Sequence, residues 1–427
     1  MTHYYNRREF IAGAIAGGAL LHTQLYAGAQ ALSDDIVVGV VGMSRGKALA
    51  LDLLKAGGCR VAYVCDVDEK RRDDGAAAIA KASGHTPEAV GDFRRILDDP
   101  KVQAVAFALP AHWHAPAAIL ACKAGKHVYV EKPCCHNPHE GELLVEAAQR
   151  YQRVVQMGAQ RRSSIVINKG MAKLQEGAIG TIRYARAWYC VQRGSMGTGA
   201  LQDPPEYLNY DLWQGPAPRR PYKDNVIHYN WHWLWHYGTG EAGNNGTHLF
   251  DMGRWGLGVD YPIRVTAAGG RYRYDDDQET PDTLMTTFEF EGGKMLTWEG
   301  LSTNQPGPEG LAVGVTFYGD EGSLVFGSDK YRLRDGAGKT LEEDQGDVGG
   351  VPHGANFFDA IRNNEPGLLN CPIDNGYKST LMAHLANIAY RTGHSLYCDG
   401  QGHILNDPEA AAFWRREYEP GWEPELG

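Results

Sequence analysis

Val128-Tyr129-Val130-Glu131-Lys132-Pro133 sets a run of β-formers directly against a carboxylate, an ammonium and a proline. Such a run reads as a buried parallel strand, and the abrupt switch to charge marks a carboxyl end that opens into a crevice. Two upstream runs end in the same manner. Ile36 to Val41 gives way to Gly42-Met43-Ser44-Arg45-Gly46, and Val61 to Val64 leads into Asp66. A dinucleotide fold lines all three strand ends along one edge, where chemistry in open α/β sheets takes place. Taken alone, Lys132 is a solvated lysine after an edge strand; its company argues otherwise.

Outward from this stretch, residues 33–157 alternate apolar strands with helical stretches. Strands are expected at 36–41, 60–65, 102–109, 127–131 and 153–157, and helices at 46–56, 69–82, 88–98, 113–124 and 138–150. This alternation predicts a parallel sheet with helices on both faces, an α/β Rossmann domain. Residues 158–427 read differently. After a helix at 164–176, strand-like runs at 181–192, 262–272, 283–290, 294–301, 311–318 and 323–327 follow one another. Glu291-Gly292-Gly293-Lys294 is a hairpin signal between two of them. Consecutive strands joined by short turns predict an antiparallel sheet, hence an α+β second domain, followed by helices at 353–363 and 375–392. Asp275-Asp276-Asp277 reads as a solvated loop.

A chain of 427 residues exceeds one ordinary core, consistent with two domains. Its formal net charge of -10 repels phosphate backbones, which argues against nucleic acid as a partner. Residues 1–31 read as an address: paired arginines in Asn6-Arg7-Arg8-Glu9-Phe10-Ile11, an apolar stretch Ile11 to Leu21, then small residues around Ala27 to Ala31. That pattern looks like a twin-arginine signal, read by the translocation machinery that carries folded proteins to the periplasm. The apolar stretch is too short and glycine-rich for stable membrane insertion. The eight cysteines show no zinc spacing and no disulfide framework, so free thiols and no metal site are expected.

Gly42, Ser44 and Gly46 stand where a strand turns into a helix, and Arg45 between them is a cation at the same turn. Small side chains there let backbone N–H groups reach a pyrophosphate at the helix N-terminus. Ser44 replaces the second glycine of the usual fingerprint. Asp66 closes the next strand, where a carboxylate accepts from ribose hydroxyls and repels a 2′-phosphate, favouring NAD over NADP. The competing role for Asp66 is a helix N-cap. Ala108-Leu109-Pro110-Ala111-His112-Trp113-His114 ends a further strand, and its backbone would border the nicotinamide ribose.

With these pieces in place the chain resembles the Gfo/Idh/MocA family, named for glucose-fructose oxidoreductase and inositol dehydrogenase. The residues that carry the likeness are the Gly42 turn, Asp66, Leu109-Pro110 with His114, Glu131-Lys132-Pro133, and Gly240-Glu241-Ala242-Gly243-Asn244-Asn245-Gly246-Thr247-His248. The resemblance implies a large open sheet in the second domain, a homo-oligomer, and nicotinamide-dependent oxidation or reduction of a carbinol on a sugar, glycoside or cyclitol. It implies Lys132 as the cation beside the developing alkoxide and His248 as the base, with Glu131 at the cofactor. The family's usual aspartate is Asn244 here, four residues before His248 and on the same face of a helix. An amide carries no proton, so His248 works more nearly alone, with Glu241 as a possible substitute carboxylate.

Trp231-His232-Trp233-Leu234-Trp235-His236-Tyr237 precedes that helix, and Trp231, Trp233 and Tyr237 would make a stacking wall for a pyranose or a packed junction. Gln160 and Arg161, followed by Arg162, sit at the domain crossing and are candidates for substrate hydroxyls. Three functions stay open: a sugar oxidoreductase; a redox-neutral glycoside hydrolase that oxidises only transiently; and a sugar-binding protein, suggested by Ser44 and Asn244. Export adds one expectation. No dinucleotide pool is expected outside the cytoplasm, so the NAD should be tightly bound.

Overall fold

In the computed structural model, which describes residues 35–427, the β-branched runs become strands and the glycine turns set their direction. The export signal lies outside the described residues. The first half runs β1 (Ile36–Val41), α1 (Arg45–Ala56), β2 (Cys59–Cys65), α2 (Glu69–Ser83), β3 (Glu88–Val90), α3 (Arg94–Asp98), β4 (Ala104–Phe107), α4 (Ala111–Lys123), β5 (His127–Val130), α5 (Pro138–Arg150) and β6 (Val155–Met157). These strands form one sheet in the order β3-β2-β1-β4-β5-β6, parallel throughout. Strand order reverses between β1 and β4, so a crevice opens at their carboxyl ends. The expected helix over 88–98 is instead β3 and the short α3, because Gly91 breaks the run after a strand that pairs with β2.

The second half continues α6 (Ile165–Gln175), β7 (Ile182–Cys190), α7 (Tyr210–Gln214), α8 (Thr247–Leu257), β8 (Arg264–Gly270), β9 (Thr283–Phe290), β10 (Lys294–Leu301), β11 (Val313–Gly319), β12 (Gly322–Phe326), β13 (Lys330–Asp335), β14 (Thr340–Gln345), α9 (Gly350–Asn363), α10 (Ile373–Thr392), β15 (Leu396–Tyr397) and α11 (Pro408–Ala411). Nine strands pair in the order β14-β13-β12-β11-β7-β10-β9-β8-β15. β9 and β10 form the expected hairpin.

Three expectations change here. β7 lies between β10 and β11 and runs parallel to β10, so β10 and β11 are not neighbours. A long insertion after β7 carries the chain away and back, which short-turn logic does not anticipate. The β13–β14 hairpin was not expected, since Thr340-Leu341-Glu342-Glu343-Asp344-Gln345 is charged as an exposed edge strand should be. Nor is Asp275-Asp276-Asp277 merely solvated: Asp276 accepts from Ser195 Oγ (2.6 Å) and Arg271 Nη2 (2.6 Å), and Asp277 from Lys223 Nζ (2.6 Å) and Asn225 Nδ2 (2.7 Å). These two carboxylates fasten the insertion to the sheet domain.

The late helix α9 returns to the first sheet, where Phe357 and Phe358 share a core with Leu49 and Leu53 of α1. Among the described residues all eight cysteines are free, and no helix is long and apolar enough to cross a membrane.

Candidate active site

A cavity of about 440 Å³ opens at the carboxyl ends of β1, β2, β4 and β5, lined in part by Gly42, Ser44, Arg45, Asp66, Leu109, Pro110, Glu131 and Lys132. Gly42 shows why its turn excludes a side chain: it sits at φ +88°, and a Cβ would meet the Ala108 carbonyl oxygen at 2.3 Å. β1 and the β4 loop therefore approach as closely as backbones can. Gly46 enters the first turn of α1 packed near Val40. α1 begins without a side-chain cap and without an acidic residue in its first turn, which suits an anion there, although the Gly46 N–H is already given to the Gly42 carbonyl (2.9 Å).

Asp66 is oriented by two backbone donors, Met43 N–H to Oδ2 (2.7 Å) and Asp68 N–H to Oδ1 (3.0 Å). Its remaining lone pairs are available to the cavity it lines. Burial raises the Asp66 carboxyl above its ordinary value, against those two donors. The helix-cap alternative falls to Asp68, whose Oδ1 accepts from Arg71 N–H (3.0 Å) and caps α2. Arg45 Nε donates to Glu131 Oε1 (3.1 Å), which ties the glycine turn to the strand end that carries Lys132. His114 is a clamp. Its Nε2 accepts from Leu109 N–H (3.1 Å), so Nδ1 donates to the Pro133 carbonyl (2.7 Å), and burial brings the ring to about 4. It lines the cavity with both nitrogens already engaged.

A glycine turn, an uncapped helix start and an oriented carboxylate at the next strand end suit a dinucleotide's pyrophosphate and ribose. Among the described residues no cluster of His, Cys, Asp or Glu suits a metal ion.

Lys132, Asn244 and His248 line the same cavity. The segment Ala242–Gly246 is a π-helical turn running directly into α8, and its small residues let it pack tightly: a Cβ on Gly243 would strike Thr239 and one on Gly246 would press on Phe250. Lys132 Nζ donates to the Asn244 carbonyl (2.6 Å) and to its side-chain Oδ1 (3.4 Å). That leaves one ammonium N–H without a protein acceptor among the described residues. Burial lowers the Lys132 ammonium, opposed by Glu131 and Glu241. His248 is held well below the ordinary histidine value, first by burial and then by Arg161, Lys132 and Arg45. It is therefore neutral at pH 7, the form a proton acceptor needs.

The other expected contacts divide. Gln160 and Trp231 line the cavity; Arg161, Trp233 and Tyr237 do not. Trp233 and Tyr237 are 5% and 2% exposed and pack together with Trp213 and Met196, because the 3-10 turn Asn230–Trp233 and the residues after it fold these rings into one buried cluster. Tyr237 donates to Gln214 Oε1 (3.1 Å). Arg161 is half-buried beside the site, with Nη1 unpartnered and its guanidinium lowered to about 10 by desolvation. Arg162 is committed to Asp251 through two hydrogen bonds of 2.7 and 2.9 Å. Glu241 is not a free substitute carboxylate, since Arg193 holds both of its oxygens (2.6 and 3.2 Å).

The structure adds wall residues that the sequence did not single out: His228, Tyr229, His232, Leu212 and Trp213. All come from the insertion after β7, whose irregular backbone gives no periodic signal. Their only trace is aromatic density.

Comparison with known proteins matches both halves of the chain. The family model described as "Oxidoreductase family, NAD-binding Rossmann fold" matches residues 36–159, and the "GFO/IDH/MocA C-terminal domain" matches residues 169–325. The levoglucosan dehydrogenase of Pseudarthrobacter phenanthrenivorans is 26% identical over 291 residues, 64% of this chain and 66% of that protein. A glycosyl hydrolase family 109 protein of Shewanella sp. is 27% identical over 217 residues, 44% of this chain and 46% of its own length. Among solved structures, levoglucosan dehydrogenase in complex with NADH and levoglucosan superposes with a TM-score of 0.67 at 20% identity, over 85% of this chain and 99% of that one. That likeness shows a shared fold. With its parallel sheet and its mixed sheet each matched by a model of one family, the chain belongs to the Gfo/Idh/MocA oxidoreductase family.

Proposed function

We propose that this protein oxidises a CH–OH group of a sugar or glycoside with NAD, using His248 as the proton acceptor and Lys132 as the cation beside the developing alkoxide. The carrying observation is that both side chains open into the same cavity as Gly42 and Asp66. The α1 N-terminus and Arg45 would hold the pyrophosphate, and Asp66 the adenosine ribose, which supports NAD over NADP. When bound, the nicotinamide supplies the hydride acceptor for the carbinol carbon. His248 takes the hydroxyl proton, and its depressed affinity for protons keeps it unprotonated beforehand. The free N–H of Lys132 offers a charged hydrogen bond to the oxygen as negative charge builds there. Trp231, stacked on His232 with centroids 3.6 Å apart, gives a flat apolar wall for a sugar face. We also propose that the Arg7-Arg8 signal exports the folded protein to the periplasm with its cofactor in place.

The likeness to glycosyl hydrolase family 109 proteins favours a second reading, in which oxidation is transient and the glycosidic bond is broken. A panel of glycosides, with products and nicotinamide absorbance followed together, separates the two. Keto-sugar with NADH supports the dehydrogenase; free aglycone without net NADH supports the hydrolase; neither product from any glycoside rejects both.

A further inference from the structure

We infer that Glu241, anchored by Arg193, is the positioning residue that lets Asn244 serve where a carboxylate would otherwise face Lys132. The inference rests on the proposed role of Lys132. An asparagine beside an ammonium is a hazard as much as a help, because its amide can turn either its oxygen or its NH₂ toward the cation. Only the first orientation supports Lys132. In this structure Asn244 Oδ1 faces Lys132 Nζ (3.4 Å), while Nδ2 faces Glu241 Oε1 (3.4 Å). The buried carboxylate on the far side selects the orientation, since reversing the amide would set oxygen against oxygen and NH₂ against ammonium.

Glu241 is itself fixed. Arg193 Nε and Nη2 donate to Oε2 (2.6 Å) and Oε1 (3.2 Å), Ser302 Oγ donates to Oε2 (3.3 Å), and Asn245 Nδ2 donates to Oε1. Arg193 is boxed in turn by three rings, with its guanidinium 4.8 Å from the Trp233 centroid, 5.4 Å from Tyr189 and 5.8 Å from Tyr229. It also donates to the Tyr229 hydroxyl (2.9 Å), and Tyr229 lines the cavity. A single chain of contacts thus runs from the aromatic wall through Arg193, Glu241 and Asn244 to Lys132. Trp233, which does not reach the cavity, acts on it through Arg193.

Exchanging partners tests this. In Glu241→Gln the charge that selects the Asn244 orientation is replaced by an amide that can itself turn either way, so the NH₂ of Asn244 is no longer kept off Lys132. Turnover should fall ~10–100-fold with NAD affinity retained, as expected for losing a hydrogen bond to a charged group. Adding Asn244→Asp should restore much of it, because a carboxylate has no wrong orientation and now faces a donor on either side. Asn244→Asp alone sets a second carboxylate against Glu241, so its turnover should be impaired and its pH profile should gain an acidic transition absent from the wild type. This variant leaves the Arg193 pair intact and reads the contact even where Glu241→Gln does not fold. A double variant no faster than Glu241→Gln, or an Asn244→Asp variant with wild-type rate and profile, overturns the inference. A wild type that oxidises no glycoside overturns the function on which it rests, and the inference with it.

Discussion

Asp66 and His248 line one cavity, and each carries a prediction set by its surroundings. Asp66 has one lone pair on each oxygen committed to a backbone N–H and lines the cavity with the rest. Replacing it with serine should weaken NAD roughly 10-fold or more, the effect of losing a charged acceptor, and narrow its advantage over NADP. Nucleotide titrations of the two proteins check this; equal affinities and equal preference would leave Asp66 as a brace for the glycine turn. His248 resists protonation because it is buried near Arg161 and Lys132. The acid limb of kcat/KM should therefore lie below pH 6.5, and an acid limb at or above that value would exclude His248 as the base. Lys132 is lowered by burial, so the basic limb should fall below the ordinary lysine value of 10.5.

The glycine turn between β1 and α1 is the element on which the proposed nucleotide binding rests. Gly42→Ala combines a left-handed φ of +88° with a 2.3 Å approach to a backbone oxygen that cannot move without β4. It should lower stability by roughly 1–3 kcal/mol or more and weaken NAD, measured by urea unfolding and nucleotide titration. Unchanged stability would mean that the turn differs from the one described. In the parallel half β1, β2, β4 and β5 were legible because each is a short apolar run ended by Gly42, Asp66, Pro110 or Glu131, terminators that also line the cavity, whereas the three-residue, mostly exposed β3 was not. Asn244 and His248 were picked out by the family resemblance, and they line one cavity although the turn that joins them is π-helical. Arg193 was not, since it acts across 48 residues of irregular chain through a carboxylate. Nor was the place of β7 between β10 and β11, which depends on where the insertion returns.

Across the whole molecule, buried neutral histidines make acid the condition that unfolds it. His114, His353 and His384 are each brought to about 4 by burial. Between that value and 6.5 the unfolded chain binds protons that the folded chain does not. Stability from these groups is complete above pH 6.5 and declines as pH falls, by about 4 kcal/mol per pH unit near pH 5 for three protons. Unfolding followed by urea at pH 7, 6 and 5 checks this, and a flat profile would contradict the buried neutral rings. If Arg7-Arg8 directs export of the folded protein, mature protein purified without added nucleotide should release close to one nicotinamide per chain on denaturation. That corresponds to a dissociation constant below micromolar, beyond about 8 kcal/mol. Both halves of the molecule must meet for the chemistry itself, and isotope transfer reads it directly. A glycoside deuterated on its carbinol carbons, incubated with the holoprotein, should place one deuterium on the bound nicotinamide in the wild type. The Lys132→Met variant should retain nucleotide but transfer it ~10²–10³ times more slowly; equal transfer rates in the two proteins, or substrate turnover that leaves no deuterium on the nicotinamide, would contradict the assignment.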